Sequence, residues 1–183
     1  MLWLWILIAV VVIIVLTFFI YYNRFVTLSN RIKNSLSQIN VQLKGRADLI
    51  PNLIKTVKGF AKHETAAIKA VTDARKALVG AQGIENKIKA DNMLESALKS
   101  IFAIAEGYPD LKANTNFLEL QRELSTTEDR IAYARQFYND SILSYNNMVQ
   151  KLPGNFFAKL YGRKEKEYLK IAEVEKKVVK VDF

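Results

Sequence analysis

His63 is the only histidine in the sequence, and it is the first candidate for acid–base or metal chemistry. It stands in the stretch Ala-Lys-His-Glu, which lacks the His-Glu-x-x-His spacing of a zinc protease helix. A catalytic base needs partners within hydrogen-bond reach, and the chain has no cysteine to serve as nucleophile or thiolate ligand. We therefore expect a structural or surface histidine, and the sequence predicts no enzyme, no cofactor and no metal.

Glu128 and Asp129 form a carboxylate pair that could in principle share a proton. Adjacent residues on a helix point about 100° apart, which is poor geometry for shared acid–base work. We interpret both carboxylates as solvated charges.

Polar residues with helical spacing run beside the apolar face of the same segment. Five of them fall within about 40° of one another at about 100° per residue: Gln121, Glu128, Arg135, Asn139 and Asn146. Three further amides lie away from the core side of the first helix: Asn30, Asn34 and Gln38. An exposed flank, a buried network or a partner surface would each explain such residues. Because two long helices offer amide-rich faces, we predict side-by-side association through these eight residues.

The first 23 residues carry no side-chain charge. About twenty apolar residues at about 1.5 Å each match a hydrocarbon core of roughly 30 Å. A cleaved signal peptide is the alternative, but the run lacks a basic start and a small-residue cleavage site. We predict an uncleaved membrane anchor, with aromatic belts at both ends. The anchor residues are Trp3, Trp5, Leu16, Phe18, Phe19, Tyr21 and Tyr22.

The distribution of charge predicts the orientation of this anchor. Arg24, Arg31 and Lys33 follow the apolar run, and the formal net charge of +9 lies beyond it. The positive-inside rule then places the N-terminus outside and the bulk of the chain in the cytoplasm. Lysines alternate with acidic residues and no nucleic-acid module is recognisable, so the basic charge fits an anionic bilayer and no nucleic acid.

Helical periodicity organises the rest of the chain. Apolar residues recur every three or four positions from Phe25 to Leu78 and stop at Gly80. Because the phase survives Pro51, we favour one long helix kinked near this proline, with a hairpin there as the alternative. A second helix is expected over residues 84–105, and a third, capped by Asn116, runs over more than four heptads.

The predicted fold class follows from these segments. No stretch alternates with the period of a strand. We predict an all-α protein: a transmembrane helix over residues 1–23, an antiparallel bundle of long helices over 24–154, and an amphipathic basic segment over 155–183. The heptads would equally suit an intermolecular coiled coil. The last segment either docks on the bundle or lies on the membrane surface, and we favour docking.

Three blocks of the sequence resemble the LemA family of bacterial membrane proteins. They are YNRFVTLSNRIKNSLSQINVQLKGRADLIPNLIKTVKGFAKHE, YPDLKANTNFLELQRELSTTEDRIAYARQFYNDSILSYNN and the late KEKEYL. Asn40, Gly45 and Ala47 depart from the family pattern. The resemblance implies a single N-terminal span followed by a helical bundle, and it marks six further positions as structural: Asp48, Pro51, Tyr108, Pro109, Asp110 and Asn114.

The same resemblance bears on function. Similar proteins are associated with envelope stress, with the membrane metalloprotease HtpX and with the building of organelle membranes in magnetic bacteria. We therefore predict a non-enzymatic, membrane-anchored scaffold that forms homo-oligomers in the lipid bilayer. The alternative is a small adaptor or regulator of a membrane protease.

Overall fold

The structure is a computed structural model, and it describes residues 1–169. It contains helices and no strand within this range, so the predicted all-α class is confirmed. The helices of the described residues are, in order, α1 (Leu2–Phe60), α2 (Thr65–Gly80), α3 (Ile84–Ala105), α4 (Pro109–Lys112), α5 (Thr115–Gln150) and α6 (Gly154–Leu160).

Helix α1 carries the apolar N-terminal stretch and continues beyond it without a loop. Its first part is long and apolar enough to cross a membrane, and its side chains are not buried against other described residues. An apolar surface of this size is unfavourable in water and favourable in hydrocarbon. This apolar N-terminal helix makes the chain a membrane-associated protein.

Pro51 lies inside α1, which passes through it unbroken. The hairpin alternative at this proline is therefore wrong. A proline has no amide hydrogen, so the carbonyl four residues before it loses its helical partner. That carbonyl belongs to Ala47, and it accepts a hydrogen bond from Nε of Arg75 at 2.8 Å. A side chain of α2 thus replaces the bond that the proline removes.

The expected helix from Phe25 to the glycines at 80 and 83 is two helices. α1 ends at Phe60, and a turn over residues 61–64 leads into α2. The amide of Glu64 donates to the carbonyl of Ala61 within this turn. Ala61 and Ile68 are both buried and lie seven residues apart, a helical repeat, so the apolar phase continues across the turn. Periodicity alone could not reveal this break.

The chain forms two compact units. One unit comprises residues 36–135, which include α2, α3 and α4 with parts of α1 and α5. Its core is built from apolar side chains of all the long helices, among them Ile50, Val57, Val71, Leu98, Leu124 and Ile131. The other unit combines residues 1–35 with the described residues after Arg135. Its core cluster contains Phe25, Ile32, Ile142, Tyr145 and Ala158.

Helix α5 begins two residues earlier than the capping pattern suggests. The cap is Asn114, whose Oδ1 accepts the amide of Phe117 at 3.0 Å, and Asn116 lies inside the helix. Asn114 is one of the residues that the family resemblance marks as structural. An asparagine at this position satisfies one of the free amides of the first turn.

Candidate functional site

The residues that could do chemistry are dispersed. His63 is exposed in the turn between α1 and α2, and its side chain makes no hydrogen bond or ion pair with residues 1–169. Asp129 is exposed, whereas Glu128 forms an ion pair with Arg46. Within the described part of the chain no group of three or more histidine and carboxylate side chains could hold a metal ion.

Arg46 forms a buried charged cluster in the unit of residues 36–135. Only 2% of the residue is exposed, yet its guanidinium cannot lose its proton in a protein. Nη1 donates to Oδ1 of Asp91 on α3 at 3.1 Å, and Nη2 to Oε2 of Glu128 on α5 at 3.4 Å. Nε has no hydrogen-bond partner among residues 1–169. The cluster joins α1, α3 and α5 by opposite charges.

Asp91 is the carboxylate of this cluster that is removed from water. Burial raises its pKa, and the neighbouring Arg46 guanidinium opposes this shift without cancelling it. A raised carboxylate pKa is a common property of catalytic acids. Here the group is enclosed by packed helices and points at an arginine, so the geometry fits a structural ion pair.

Asn139 and Asn146 on α5 hold the backbone of an extended segment that follows α6. The Oδ1 atom of Asn146 accepts the amide of Lys166 at 2.9 Å, and its Nδ2 donates to the carbonyl of Lys166 at 2.8 Å. Asn139 does the same for Leu169, with distances of 2.9 and 3.2 Å. Each amide therefore satisfies one donor and one acceptor of a single backbone residue. We call this arrangement the amide clamp.

The spacing of the amide clamp follows from helix and extended-chain geometry. Asn139 and Asn146 are seven residues apart, which is about 10.5 Å at about 1.5 Å per helical residue. Lys166 and Leu169 are three residues apart, which is about 10 Å at about 3.3 Å per extended residue. These two lengths are nearly equal, so seven residues of α5 match three residues of the extended segment. The pairing of Asn146 with Lys166 and of Asn139 with Leu169 makes this segment antiparallel to α5.

The other predicted surface residues have different environments. Asn30, Asn34 and Gln38 are exposed, and their side chains make no hydrogen bond with the rest of residues 1–169. Gln121 is half-buried, and the positive charge of Arg135 acts on the Asp91 carboxylate. Among the eight residues, Asn139 and Asn146 hold a segment of the same chain, whereas the amides on α1 are exposed.

The positions marked as structural lie mostly at helix ends. Pro109 occupies the first turn of α4 together with Asp110, where a proline and an acidic residue are favourable. The hydroxyl of Tyr108 donates to Oε1 of Glu64 at 2.9 Å, which fixes the start of α4 to the turn after α1. Asp48 is exposed and makes no side-chain hydrogen bond with the described residues.

Helix α6 packs against α1 at the end of its apolar stretch. The ring of Phe157 stacks on Tyr21 with centroids 4.6 Å apart. The hydroxyl of Tyr161 donates to the carbonyl of Phe18 at 2.7 Å, and its ring meets that of Phe18 edge-on. A Cβ atom on Gly154 would lie 2.2 Å from the carbonyl oxygen of Met148, so glycine permits the tight entry into α6.

The predicted anchor residues all lie on α1. Most are exposed, with Tyr21 half-buried: Trp3, Trp5, Leu16, Phe18, Phe19 and Tyr22. Phe18, Tyr21 and Tyr22 have a second role, because they receive α6.

Two features were missed by reading the sequence. Arg46 interrupts the apolar stripe of α1, and Asp91 interrupts that of α3, three residues before Leu94. Opposite charges at core positions of two helices are a detectable signal for a buried pair. The contacts of Phe157 and Tyr161 with α1 had no such signal, since they depend on where the loop after α5 places the chain.

Comparison with known proteins supports this description. The family model of the LemA family matches residues 35–183. The chain belongs to the LemA family. The resemblance noted in the sequence is thereby confirmed.

Several curated proteins are similar to this family member. Magnetosome protein MamQ of Magnetospirillum gryphiswaldense and magnetosome protein MamQ 2 of Paramagnetospirillum magneticum are each 28% identical to it over 178 residues, which cover 83% of this chain. The alignment spans 65% of each MamQ protein. Protein LemA of Metamycoplasma hominis is 28% identical over 140 residues, with 72% of this chain and 62% of that protein covered. None of these names describes a reaction.

Proposed function

We propose that this protein is a non-enzymatic membrane scaffold whose copies associate side by side. The observation that carries the proposal is that α1 continues as one helix from its apolar stretch into its polar part. A helix transmits orientation, whereas a flexible linker does not. Copies anchored in one bilayer would therefore present the same helix faces to one another, which favours repeated lateral contacts.

The accessible amides on α1 supply a chemistry for these contacts. Asn30 and Asn34 are exposed and lie four residues apart, on one side of the helix. An amide side chain both donates and accepts hydrogen bonds. A surface of this kind is complementary to itself, as a contact between identical chains requires. Asn139 and Asn146 are not part of this surface, because the amide clamp occupies them.

We infer the location from residues of the same helix. Arg24, Arg31 and Lys33 lie just after the apolar stretch, and the positive-inside rule places such residues in the cytoplasm. We propose a single-pass protein of a bacterial inner membrane with its N-terminus outside. The helical part of the chain after the apolar stretch would then lie on the cytoplasmic side.

Cysteine cross-linking in membranes tests the lateral contact directly, because the natural chain has no cysteine. We expect Asn34→Cys to give covalent dimers with a short bifunctional thiol reagent. Gln136→Cys is the matched control, since Gln136 is an exposed amide on α5 in the same unit. Cross-linking that is absent at residue 34, or equal at both positions, would contradict the proposed surface.

The adaptor hypothesis makes a different prediction in the same experiment. An adaptor that stays small would cross-link from residue 34 to another protein, such as a membrane protease, and would give no dimer of this chain. The sizes of the products separate the two functions.

A further inference from the structure

Helix α6 lies beside the last turns of the apolar stretch. Lys151 and Gly154 border the same groove as Arg24, Phe157 stacks on Tyr21, and Tyr161 bonds to Phe18. From the start of α6 to its end, the contacted residues of α1 thus come progressively earlier in the sequence, towards the apolar stretch. The chain then turns at Gly162, whose φ of +63° suits glycine.

The return path is fixed as well. After Gly162 the extended segment runs to Lys166 and Leu169, which the amide clamp holds on α5. Helix α6 and the segment after it therefore form a hairpin-like element whose tip, Leu160 to Gly162, points along α1 towards the apolar stretch. We call this element the wedge.

The outer face of the wedge is apolar and uncovered within the described residues. Phe156 is 63% exposed and Leu160 is 59% exposed, and they share a face because they are four residues apart. Leu152, just before α6, is 82% exposed. Large apolar side chains grouped in this way mark a contact surface for a protein or a membrane.

The place where the wedge contacts α1 favours a membrane over a protein as the partner of its apolar face. Phe18 precedes Arg24, the first charged residue after the apolar stretch, by six residues, or about 9 Å at about 1.5 Å per residue. Interfacial helices bury their apolar face about 5–10 Å into the boundary between headgroups and acyl chains. A tip held at Phe18 lies at this depth when α1 spans the bilayer. Lys159 and Lys164 are exposed beside the tip and would face anionic headgroups.

We propose that the wedge is a second membrane contact, in which Phe156 and Leu160 enter the lipid boundary beside α1. In this proposal α6 both packs on α1 and contacts the membrane, whereas the sequence analysis favoured docking. Residues 170–183 of the segment predicted over 155–183 lie outside the described residues. The inference needs α1 to span the bilayer but does not need the chains to self-associate.

Tryptophan fluorescence with brominated lipids tests this contact in the full chain. The two natural tryptophans, Trp3 and Trp5, are first replaced by phenylalanine, and Leu160→Trp is then introduced. In nanodiscs we expect blue-shifted emission and strong quenching by lipids brominated near the carbonyl end of the acyl chain. Phe156→Trp is a second reporter on the same face.

Two controls make the outcome decisive. Phe137→Trp reports a partly exposed aromatic site that contacts Arg31, about 20 Å along α1 from Phe18 at about 1.5 Å per residue; we expect weak quenching there. The natural protein, with Trp3 and Trp5, reports the span itself. Quenching of the natural tryptophans with none at residues 156 and 160 would overturn the wedge and leave the span intact. Loss of quenching at all sites would overturn both the wedge and the span.

Discussion

Arg46 and Asp91 form a buried ion pair whose two members respond differently to the loss of the other. An arginine cannot discharge by losing its proton, whereas an aspartate can gain one, and burial already raises the pKa of Asp91. Removing the carboxylate leaves a buried cation with only the half-exposed Glu128 as partner. Removing the arginine leaves a carboxylate that can become neutral.

We therefore predict that Asp91→Asn is more damaging than Arg46→Met. At neutral pH, Asp91→Asn should lower the free energy of unfolding by about 3 kcal/mol, the low end for a broken buried pair. Arg46→Met should cost less than Asp91→Asn, because the unpaired Asp91 can become neutral by gaining a proton, and this limits the cost of leaving a buried charge. Thermal or chemical unfolding followed by circular dichroism in detergent measures both values, and the opposite order would contradict this explanation.

The pH dependence has a defined sign. The folded-state pKa of Asp91 is raised above its ordinary value of 3.8. Protonation of Asp91 therefore stabilises the folded protein, most strongly below pH 3.8, and this stabilisation is lost as the pH rises through the folded-state pKa. Removing Arg46 takes away the charge that lowers the pKa of Asp91, so the folded-state pKa rises further. The loss of unfolding free energy in Arg46→Met should therefore become smaller as the pH is lowered. In Asp91→Asn this contribution to the pH dependence disappears. A deficit of Arg46→Met that grows on acidification would be inconsistent with a buried carboxylate.

Asn139 and Asn146 illustrate a second role for a polar residue on a helix. We predict that Asn139→Leu with Asn146→Leu releases residues 166–169 from α5 without loss of helicity. Hydrogen exchange read by mass spectrometry should show faster exchange of the Lys166 and Leu169 amides, since both lose their acceptors. Asn147→Leu is the matched control, because Asn147 lies beside the amide clamp and makes no side-chain hydrogen bond with the described residues. Unchanged exchange in the double variant would show that the amide clamp does not hold residues 166–169 on α5.

At the scale of helices, Pro51 and Arg75 together determine the hydrogen bonding of one backbone carbonyl. The proline frees the carbonyl of Ala47, and Arg75 of α2 uses it at 2.8 Å. We predict that Arg75→Met costs about 1–2 kcal/mol of unfolding free energy in the natural protein, because it leaves a buried carbonyl unpaired. In a Pro51→Ala background, residue 51 regains its amide and the same change should cost much less.

A double-mutant cycle measures this dependence. The four proteins are the natural chain, each single variant and the double variant, and the difference between the two Arg75 costs is the coupling energy. We expect a coupling of about 1 kcal/mol. Equal costs in both backgrounds would mean that Arg75 stabilises α2 without regard to the proline.

The sequence predicted the helix content and the bounds of α3 well, but it missed the break between α1 and α2, for a physical reason. Apolar spacing reports which face of a segment is buried, and this places α3 and α5 within a few residues. It cannot reveal a turn that keeps the buried residues in helical phase, as the turn over residues 61–64 does. For this reason the break before Thr65 was missed. The amide stripe on α5 was visible, but its partner is the backbone of a segment that has no distinctive side-chain pattern. Such long-range contacts depend on the folded path of the chain.

At the scale of the whole molecule, the distribution of basic residues predicts topology. We expect a single cysteine at residue 82, in the loop between α2 and α3, to resist an impermeant thiol reagent in intact cells. The same cysteine should react once the cells are opened, which is the control for its accessibility. Labelling in intact cells would place this loop outside and reverse the proposed orientation.

The central claim is that copies of this protein assemble in the membrane. The mass of the full-length protein in native nanodiscs, measured by light scattering, tests it most directly. One chain has a mass of 20.9 kDa, and the scaffold predicts a uniform particle that contains many copies and shrinks when residues 1–22 are removed. A particle with one or two chains would contradict the scaffold and favour a small adaptor.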